Sequence, residues 1–578
     1  TVNGLPEFQE CQLRGADIDL EHIANASRSS RKPAHFQVDL ALKLASRFKA
    51  FGFSNGTLNI PVKLAAHILS LLPANPNVAA TEVSGAGFMM ITMSGEVLAN
   101  RLQSVLTNGV NLPATVKARV AVDYSSPNIA KDMHIGHLRS TIIGDAICRV
   151  LELCGDEVER INHVGDWGTQ FGMLIAHLKD TYPDFLENTP EVQELTEFYK
   201  ASKIRFKEDE AFKDRAHQEV VALQAGDETN TRLWKALCAV SEKMFTQIYK
   251  RLGISNKLKV VGESFYQSRL PSVLEELETK NLLEDDQGMK VLRIEGSRVP
   301  LIIRKSDGGF GYDSTDMAAI RYRLVERGFD RAVYVVDKGQ ELHFDLIFAA
   351  AKRAGWLEGG KVAEHCKFGI VCGEDKKRFR TRDGGVVRLV DVLDEAKSRA
   401  LNELVKRDAK GRARTQKEDQ EKTAEALAYS GIKYFDMNRD RLRDYVFTYK
   451  DMLNPDGDTA VYLQYAHARM CSILSKSGKD IDALATTATI VLEHEAEIDL
   501  AMEILRLTNV LEVVRKDLQL LPICKWLRTL CVQFSTFNSH CRVLGNEKED
   551  SRLLVVHATA SSMRLGMSLL GMDVVDRL

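Results

Sequence analysis

Residues 119–137 read Arg119-Val-Ala-Val-Asp-Tyr-Ser-Ser-Pro-Asn-Ile-Ala-Lys-Asp-Met-His-Ile-Gly-His137. The opening RVAVDY combines β-branched and aromatic side chains over the length of a strand. Ser125 to Asn128 supply turn formers, and Pro127 can donate to no strand ladder. From about Met133 the pattern turns helical and continues to Cys154, where Gly155 gives a C-terminal stop. A further strand-like run, EVERINHVGDW at 157–167, follows directly. Strand, loop, helix and strand in this order open a βαβ crossover and hence a parallel sheet. The stretch therefore predicts a doubly wound, Rossmann-like α/β domain.

Outward from it, strand patterns resume at KVLRIEG (290–296), VPLIIRK (299–305) and DRAVYVVD (330–337), while the charged block around 181–252 reads as helical. That block is an insertion within one sheet, in a domain spanning 113–398. Residues 1–112 form a separate α+β unit, with helical periodicity in HFQVDLALKLASRFKAF and PVKLAAHILSLLP and a strand-like GFMMITMSG. After 399 amphipathic helices dominate, which predicts an all-α bundle over 399–578. The chain is thus a multidomain α/β protein.

The 578 residues carry 78 Lys and Arg against 80 Asp and Glu, so no overall basic charge advertises a nucleic-acid partner. Any RNA contact must use local patches. The ten cysteines show neither a CxxC pair nor zinc-ligand spacing with histidine, and no metal site is expected. No stretch approaches the ~18 apolar residues of a membrane span, and no basic segment followed by an apolar run opens the sequence. A reducing, cytoplasmic setting is the expectation, with a monomer as the default state.

Chemistry concentrates at the loop and helix start. His134 and His137, three apart, share a helix face at an N-terminus whose free N–H groups and dipole favour phosphate. Gly136 lets a ribose or base approach the backbone. Elsewhere Tyr312 and Asp316 are four apart, so a helix would project them together. Taken singly, each feature has a bland alternative: a surface HxxH, a capped helix with a half-buried ring, a bundle's packed aromatics.

Jointly they carry a resemblance. His134-Ile-Gly-His137 after a strand resembles the first signature of class I aminoacyl-tRNA synthetases, and SSPNIAKDMHIGHLRSTIIGD with NHVGDWGTQFGMLI is similar to the arginine enzymes of that class. The resemblance extends over essentially the whole chain. It implies ATP, with Mg2+ accompanying the nucleotide and no dedicated protein metal site, and L-arginine and tRNA(Arg) as partners. By it, Lys377-Arg-Phe-Arg-Thr-Arg-Asp-Gly384 corresponds to the second signature, whose second lysine is replaced by Thr381. Lys131 then supplies the missing charge, and Lys377, Phe379, Arg380, Thr381 and Arg382 join His134, Gly136 and His137 around ATP. Ser126, Pro127, Asn128, His137 and Gln340 would meet the amino acid's backbone end, and Glu263, Tyr312 and Asp316 its guanidinium.

The N-terminal unit resembles a domain that touches the tRNA D-loop, with Met90 where a polar side chain is common. The C-terminal helices resemble an anticodon-binding bundle. There Asp458, Tyr462, Tyr465, His467 and Arg469 offer stacking planes and donors for splayed bases. The terminal position, Leu578, stands where methionine is common. Competing readings are another HxGH nucleotidyltransferase, a class I synthetase for a different amino acid, and an inactive synthetase-like scaffold. Association with a larger synthetase assembly is left open.

Overall fold

The computed structural model describes residues 26–28, 34–50, 56–112, 116–185, 187, 192–375, 377, 379, 387–409 and 417–578. The chain divides into two compact units.

One unit comprises residues 1–110, 473–505 and 532–559. Its sheet is antiparallel, in the order β1 (Ala26–Arg28), β2 (Phe36–Val38), β4 (Met89–Met93), β3 (Val78–Val83). The run that reads as helical from His35 divides, Phe36–Val38 pairing with β4 and the helix starting at Leu40. That helix and Pro61–Ser70, with proline at its first turn, bury Leu44, Phe48, Leu64 and Ile68 against Met89. Met90 is buried. The helix Gly95–Asn108 packs on Ile481–Thr487 and Glu495–Leu505. Gln103 seals this contact, its Nε2 donating to Ala485 O at 2.7 Å and its Oε1 accepting from Ile490 N at 3.2 Å.

The other unit holds residues 111–472, 506–531 and 560–578. Its centre is a fully parallel sheet of β5 (Arg119–Asp123), β6 (Glu157–Asn162), β7 (Lys259–Val260), β11 (Arg331–Tyr334) and β12 (Val362–His365). The order is β12-β11-β5-β6-β7, the doubly wound arrangement expected. A small antiparallel sheet, β8 (Glu284–Asp286), β9 (Met289–Leu292) and β10 (Leu301–Arg304), and a parallel pair, β13 (Val371–Cys372) with β14 (Tyr445–Val446), accompany it.

The crossover helix Ile135–Leu153 is buried on nearly every side, and its polar Arg139, Ser140, Thr141 and Asp145 are buried with its apolar residues. Gly144 allows its approach to the sheet: a Cβ there would lie 2.3 Å from the Cβ of Tyr124. Between β6 and β7 stand the insertion helices Val192–Glu208, Glu210–Gln224 and Glu228–Arg251, the last two capped by Asp209 and Asp227. Tyr266, Leu292, Met317, Tyr334 and Ile347 pack β9, β11 and their helices into one core. The helices Leu389–Ala409, Gln420–Met437 and Ala460–Lys476 follow.

Candidate active site

From β5 the chain first adds β6 on one side and only much later β11 on the other. Loops leaving neighbouring strands therefore part in opposite directions above the C-terminal ends of β5 and β11, which is where open α/β sheets bind ligands. A cavity of about 740 Å3 lies there. Its walls include Asp123, Ser126 and Asn128 after β5, His134 to His137, His163 after β6, and Val335 to Asp337 after β11. Tyr312, Asp316, Gln340, His343 and Phe379 complete it. Its size suits a substrate-sized ligand.

The two signature histidines are set by the helix start itself. His134 is the N-cap, its Nδ1 accepting Gly136 N–H at 3.0 Å, and His137 Nδ1 accepts His134 N–H at 3.1 Å. With both Nδ1 atoms used as acceptors, the neutral rings carry their protons on Nε2. The rings stack with centroids 3.9 Å apart. Burial, then the charges of His134 and Lys131, push His137 down to about 3, so it is a neutral N–H donor throughout the physiological range. Gly136 is required by the cap: a Cβ would come within 2.8 Å of the His134 ring.

The described flanks of the second-signature segment converge on the same helix start. Gly373 N donates to Lys377 O at 2.8 Å, Phe379 N donates to Val371 O at 3.0 Å, Arg388 bridges to His134, and Leu389 N donates to Met133 O at 2.8 Å. Phe379 lines the cavity, while Lys377 is exposed beside it. Arg380, Thr381 and Arg382 lie outside the described residues. Lys131 lies outside the lining; its Nζ sits 5.1 Å from the centre of the Tyr199 ring.

At the opposite end, the helix Tyr312–Arg321 carries Tyr312 and Asp316 on one face, as their spacing requires. Two histidines that the sequence reading missed join them. His343 Nε2 lies 2.7 Å from Asp316 Oδ2 and its ring centroid 5.3 Å from that of Tyr312, while His163 Nε2 lies 4.0 Å from Asp316 Oδ1. Burial opposes the charged form of His343, but the bonds to Asp313 and Asp316 prevail and raise it to about 9. Behind the lining, Glu263 is pushed up to about 8 by burial, then by the charges of Asp316 and Asp166. Asp166 binds Ser264 N at 2.8 Å and Ser264 Oγ at 2.6 Å, also with its carboxyl raised by burial. Asp313, Asp316 and, behind them, Glu263 thus gather around His343.

The connecting turn is strained. Ser125, Ser126 and Ala130 have φ of 76°, 46° and 60°, which costs an L-residue on the order of 1–3 kcal/mol each. Asp123 helps to hold it, accepting from Ser126 Oγ at 3.0 Å and from the buried Arg323 at 2.7 Å. Arg323 lies in a π-helical turn, Tyr322–Glu326. Asn128 and Gly165 are bridged, with Gly165 N donating to Pro127 O at 3.1 Å, and Asn128 lines the cavity whereas Pro127 does not.

With this geometry in place, the relationships to known proteins are specific. Residues 101–449 match the class I tRNA synthetase (R) catalytic domain, residues 9–93 the arginyl-tRNA synthetase N-terminal domain, and residues 463–578 the DALR anticodon-binding domain. The chain belongs to the arginyl-tRNA synthetases. It is 43% identical to the probable cytoplasmic arginine--tRNA ligase of Drosophila melanogaster, covering 100% of this chain and 86% of that protein. It is 45% identical to the chloroplastic/mitochondrial arginine--tRNA ligase of Arabidopsis thaliana, covering 90% and 81%. The arginyl-tRNA synthetase structure from Plasmodium falciparum superposes with a TM-score of 0.84 at 34% identity, over 99% of this chain and 97% of that one.

The residues expected to meet the anticodon fall into two groups. Arg469 and Asp458 are exposed, and Asp458 accepts from Tyr434 OH at 2.7 Å. Tyr462 and Tyr465 are half-buried, each with a guanidinium over its ring, Arg528 at 3.9 Å and Arg407 at 4.4 Å. Leu578 is half-buried. His467, by contrast, is wholly buried, with Nδ1 3.1 Å from Val575 O and Cys471 and Asp576 beside it. It braces the C-terminal segment and presents no ring face to a base. Among the described residues no helix is long and apolar enough to cross a membrane.

Proposed function

We propose a division of labour within this cavity by which the chain activates L-arginine with ATP and transfers it to tRNA(Arg). The observation that carries it is the placement of His134 and His137 in one cavity with Tyr312 and Asp316. The guanidinium lies against Asp316 and Tyr312, with Glu263 behind, and the amino and carboxylate groups meet Ser126, Asn128 and Gln340, with Pro127 shaping the turn.

ATP lies over Gly136, its phosphates toward the helix N-terminus and Phe379 beside it. The arginine carboxylate oxygen attacks the α-phosphorus in line, and the bond to the bridging oxygen breaks with pyrophosphate leaving. His134 and His137 donate through Nε2–H to oxygens on which charge builds, and need no proton transfer to do so. Lys131 and Lys377, with Arg380, Thr381 and Arg382, steady the departing pyrophosphate. Mg2+ enters bound to ATP. A ribose hydroxyl of the tRNA's terminal adenosine, the 2′ position, then attacks the carbonyl carbon and releases AMP.

The N-terminal region 1–112 contacts the D-loop, the region 113–398 carries the chemistry, and 399–578 receives the anticodon. Asp458, Tyr462, Tyr465, Arg469 and Leu578 form that surface over His467. A cytoplasmic setting fits the cytoplasmic name of the Drosophila relative, with a monomer as the default state. ATP–pyrophosphate exchange, with and without tRNA and across several amino acids, tests this reading. Stimulation by arginine alone is expected; stimulation by lysine and none by arginine would reject the pocket assignment.

A further inference from the structure

The helix Glu228–Arg251 belongs to the insertion and lines none of the cavity, yet three of its polar side chains reach the loops that do. Trp234 Nε1 donates to Asp166 O at 2.8 Å, Ser241 Oγ accepts from Ala130 N at 2.9 Å, and Tyr249 OH lies 2.6 Å from Ser125 Oγ. Steps of seven and eight residues return to one side of a helix, so the three form a stripe. Ala130 and Ser125 are two of the three left-handed residues of the turn. The helix therefore grips the chain where the chain is least comfortable.

The hydrogen bonds have a definite direction. Asn162 Nδ2 donates to Tyr249 OH at 3.0 Å, while Asn162 Oδ1 accepts from Ser126 N at 2.9 Å. An amide nitrogen can only donate, so the Tyr249 proton is committed to Ser125 Oγ. Ser125 Oγ in turn lies 2.8 Å from Thr141 Oγ1, which donates to His137 O at 2.6 Å. One chain of bonds thus runs from the insertion through the strained turn to the backbone of the signature helix. Burial, resisted by the bonds to Ser125 and Asn162, raises Tyr249 to about 12, so its proton is always present. Such connected, buried networks rigidify what they touch.

We propose that the insertion helix is a positioning device for the amino-acid end of the site: Tyr249, with Ser241, holds residues 125–130 in the left-handed conformations that present Ser126 and Asn128 to the substrate. The proposal rests on the reading that this turn meets the amino and carboxylate groups of arginine. Neither Tyr249 nor Ser241 lines the cavity, so both act through the turn.

Tyr249→Phe removes one oxygen and keeps the ring. Arginine-dependent pyrophosphate exchange by the full chain should show KM for arginine rising about tenfold, with KM for ATP changed less than about twofold and the melting temperature within about 2 °C. Ser241→Ala should move the same constant in the same direction, which keeps the test open if Tyr249→Phe does not fold. Combined with Ser125→Ala, Tyr249→Phe should add little to the single change, because both cut one chain of bonds. An unchanged KM for arginine in both single variants would overturn the proposal. So would equal rises in both KM values with a lowered melting temperature, the mark of a merely structural helix. Asn128→Ala without effect on the KM for arginine would instead overturn the placement of the amino acid on this turn, and the proposal with it.

Discussion

Nε2 of His343 lies 2.7 Å from Oδ2 of Asp316, so the carboxylate proposed to receive the substrate guanidinium already has an imidazole partner. The same ring has Nδ1 3.4 Å from Asp313 Oδ1, which leaves it bracketed by acid. On the proposed placement of the substrate, arginine competes with His343 for Asp316.

That competition has a measurable consequence. With His343 held at about 9, a guanidinium arriving at Asp316 weakens its grip on the proton, so arginine binding at pH 8 should release up to about one proton. Titration calorimetry in buffers of different ionisation enthalpy reads this directly; heats independent of the buffer would reject it, and His343→Gln should reduce the release to the share that Glu263 contributes. The sign for stability is fixed as well. A histidine raised above its ordinary value stabilises fully below about pH 6.5 and loses that contribution as pH climbs through 9. His343→Gln should therefore lower the melting temperature at pH 6 and have far less effect at pH 10.

Glu263 behaves in the opposite sense. Its carboxyl is held up to about 8, so the folded chain keeps a proton that the unfolded chain gives up near the ordinary carboxylate value. Stability is lost progressively as pH rises from about 4.5 to 8, and Glu263→Gln should remove that loss, raising the melting temperature at pH 8.5 and leaving it unchanged at pH 4. The KM for arginine should fall as the wild type passes pH 8 and the carboxylate forms, and the variant should flatten that limb. Matching pH profiles for wild type and variant would contradict the assignment.

His137 is a donor that does not titrate where the enzyme works, since burial and neighbouring charge hold it near 3. His137→Ala should lower kcat for pyrophosphate exchange by about 10²- to 10³-fold, the usual scale for one lost transition-state donor. The pH dependence between 6 and 8 should keep its shape. A wild-type acid limb near pH 6.5 that vanishes in the variant would show proton transfer instead.

Arg139 and Asp436 form a buried pair, Nε to Oδ2 at 2.8 Å with each side chain 1% exposed, and Tyr445 OH donates to the same Oδ2 at 2.8 Å. Arg139 also donates to Gly369 O at 2.6 Å, tying the signature helix to the strand that leads into the second-signature segment. Asp436→Ala strands a buried guanidinium and should cost about 3–5 kcal/mol in denaturant unfolding. A loss below about 1 kcal/mol would show that the pair is solvated in solution.

The strand, turn and helix around residues 119–153 were legible because they are written in local pattern, and the HxGH spacing sits on a helix start that the same pattern locates. Tyr312 and Asp316 were legible for the same reason, four residues apart on one helix. His343 was hidden: its meaning comes from a contact with Asp316, 27 residues away, and only its place three residues after Gln340 hinted at it. Asp123 and Arg323 pair across 200 residues, beyond the reach of any periodicity. Lys131 sits next to the signature in sequence, yet its side chain rests over Tyr199, a contact 68 residues away that no local pattern announces. The packing of Gly95–Asn108 on helices near residue 490 is equally non-local, sealed by Gln103 through a bond spanning 382 residues.

The claim on which the rest depends is that Asp316 is the carboxylate that selects a guanidinium in the cavity holding His134 and His137. The direct measurement is arginine charging of tRNA(Arg) by Asp316→Asn beside the wild-type chain, with KM for ATP recorded in the same assays. The expected result is a fall of at least about 10²-fold in kcat/KM for arginine, with KM for ATP nearly unchanged. Arginine charging at the wild-type level would contradict the account.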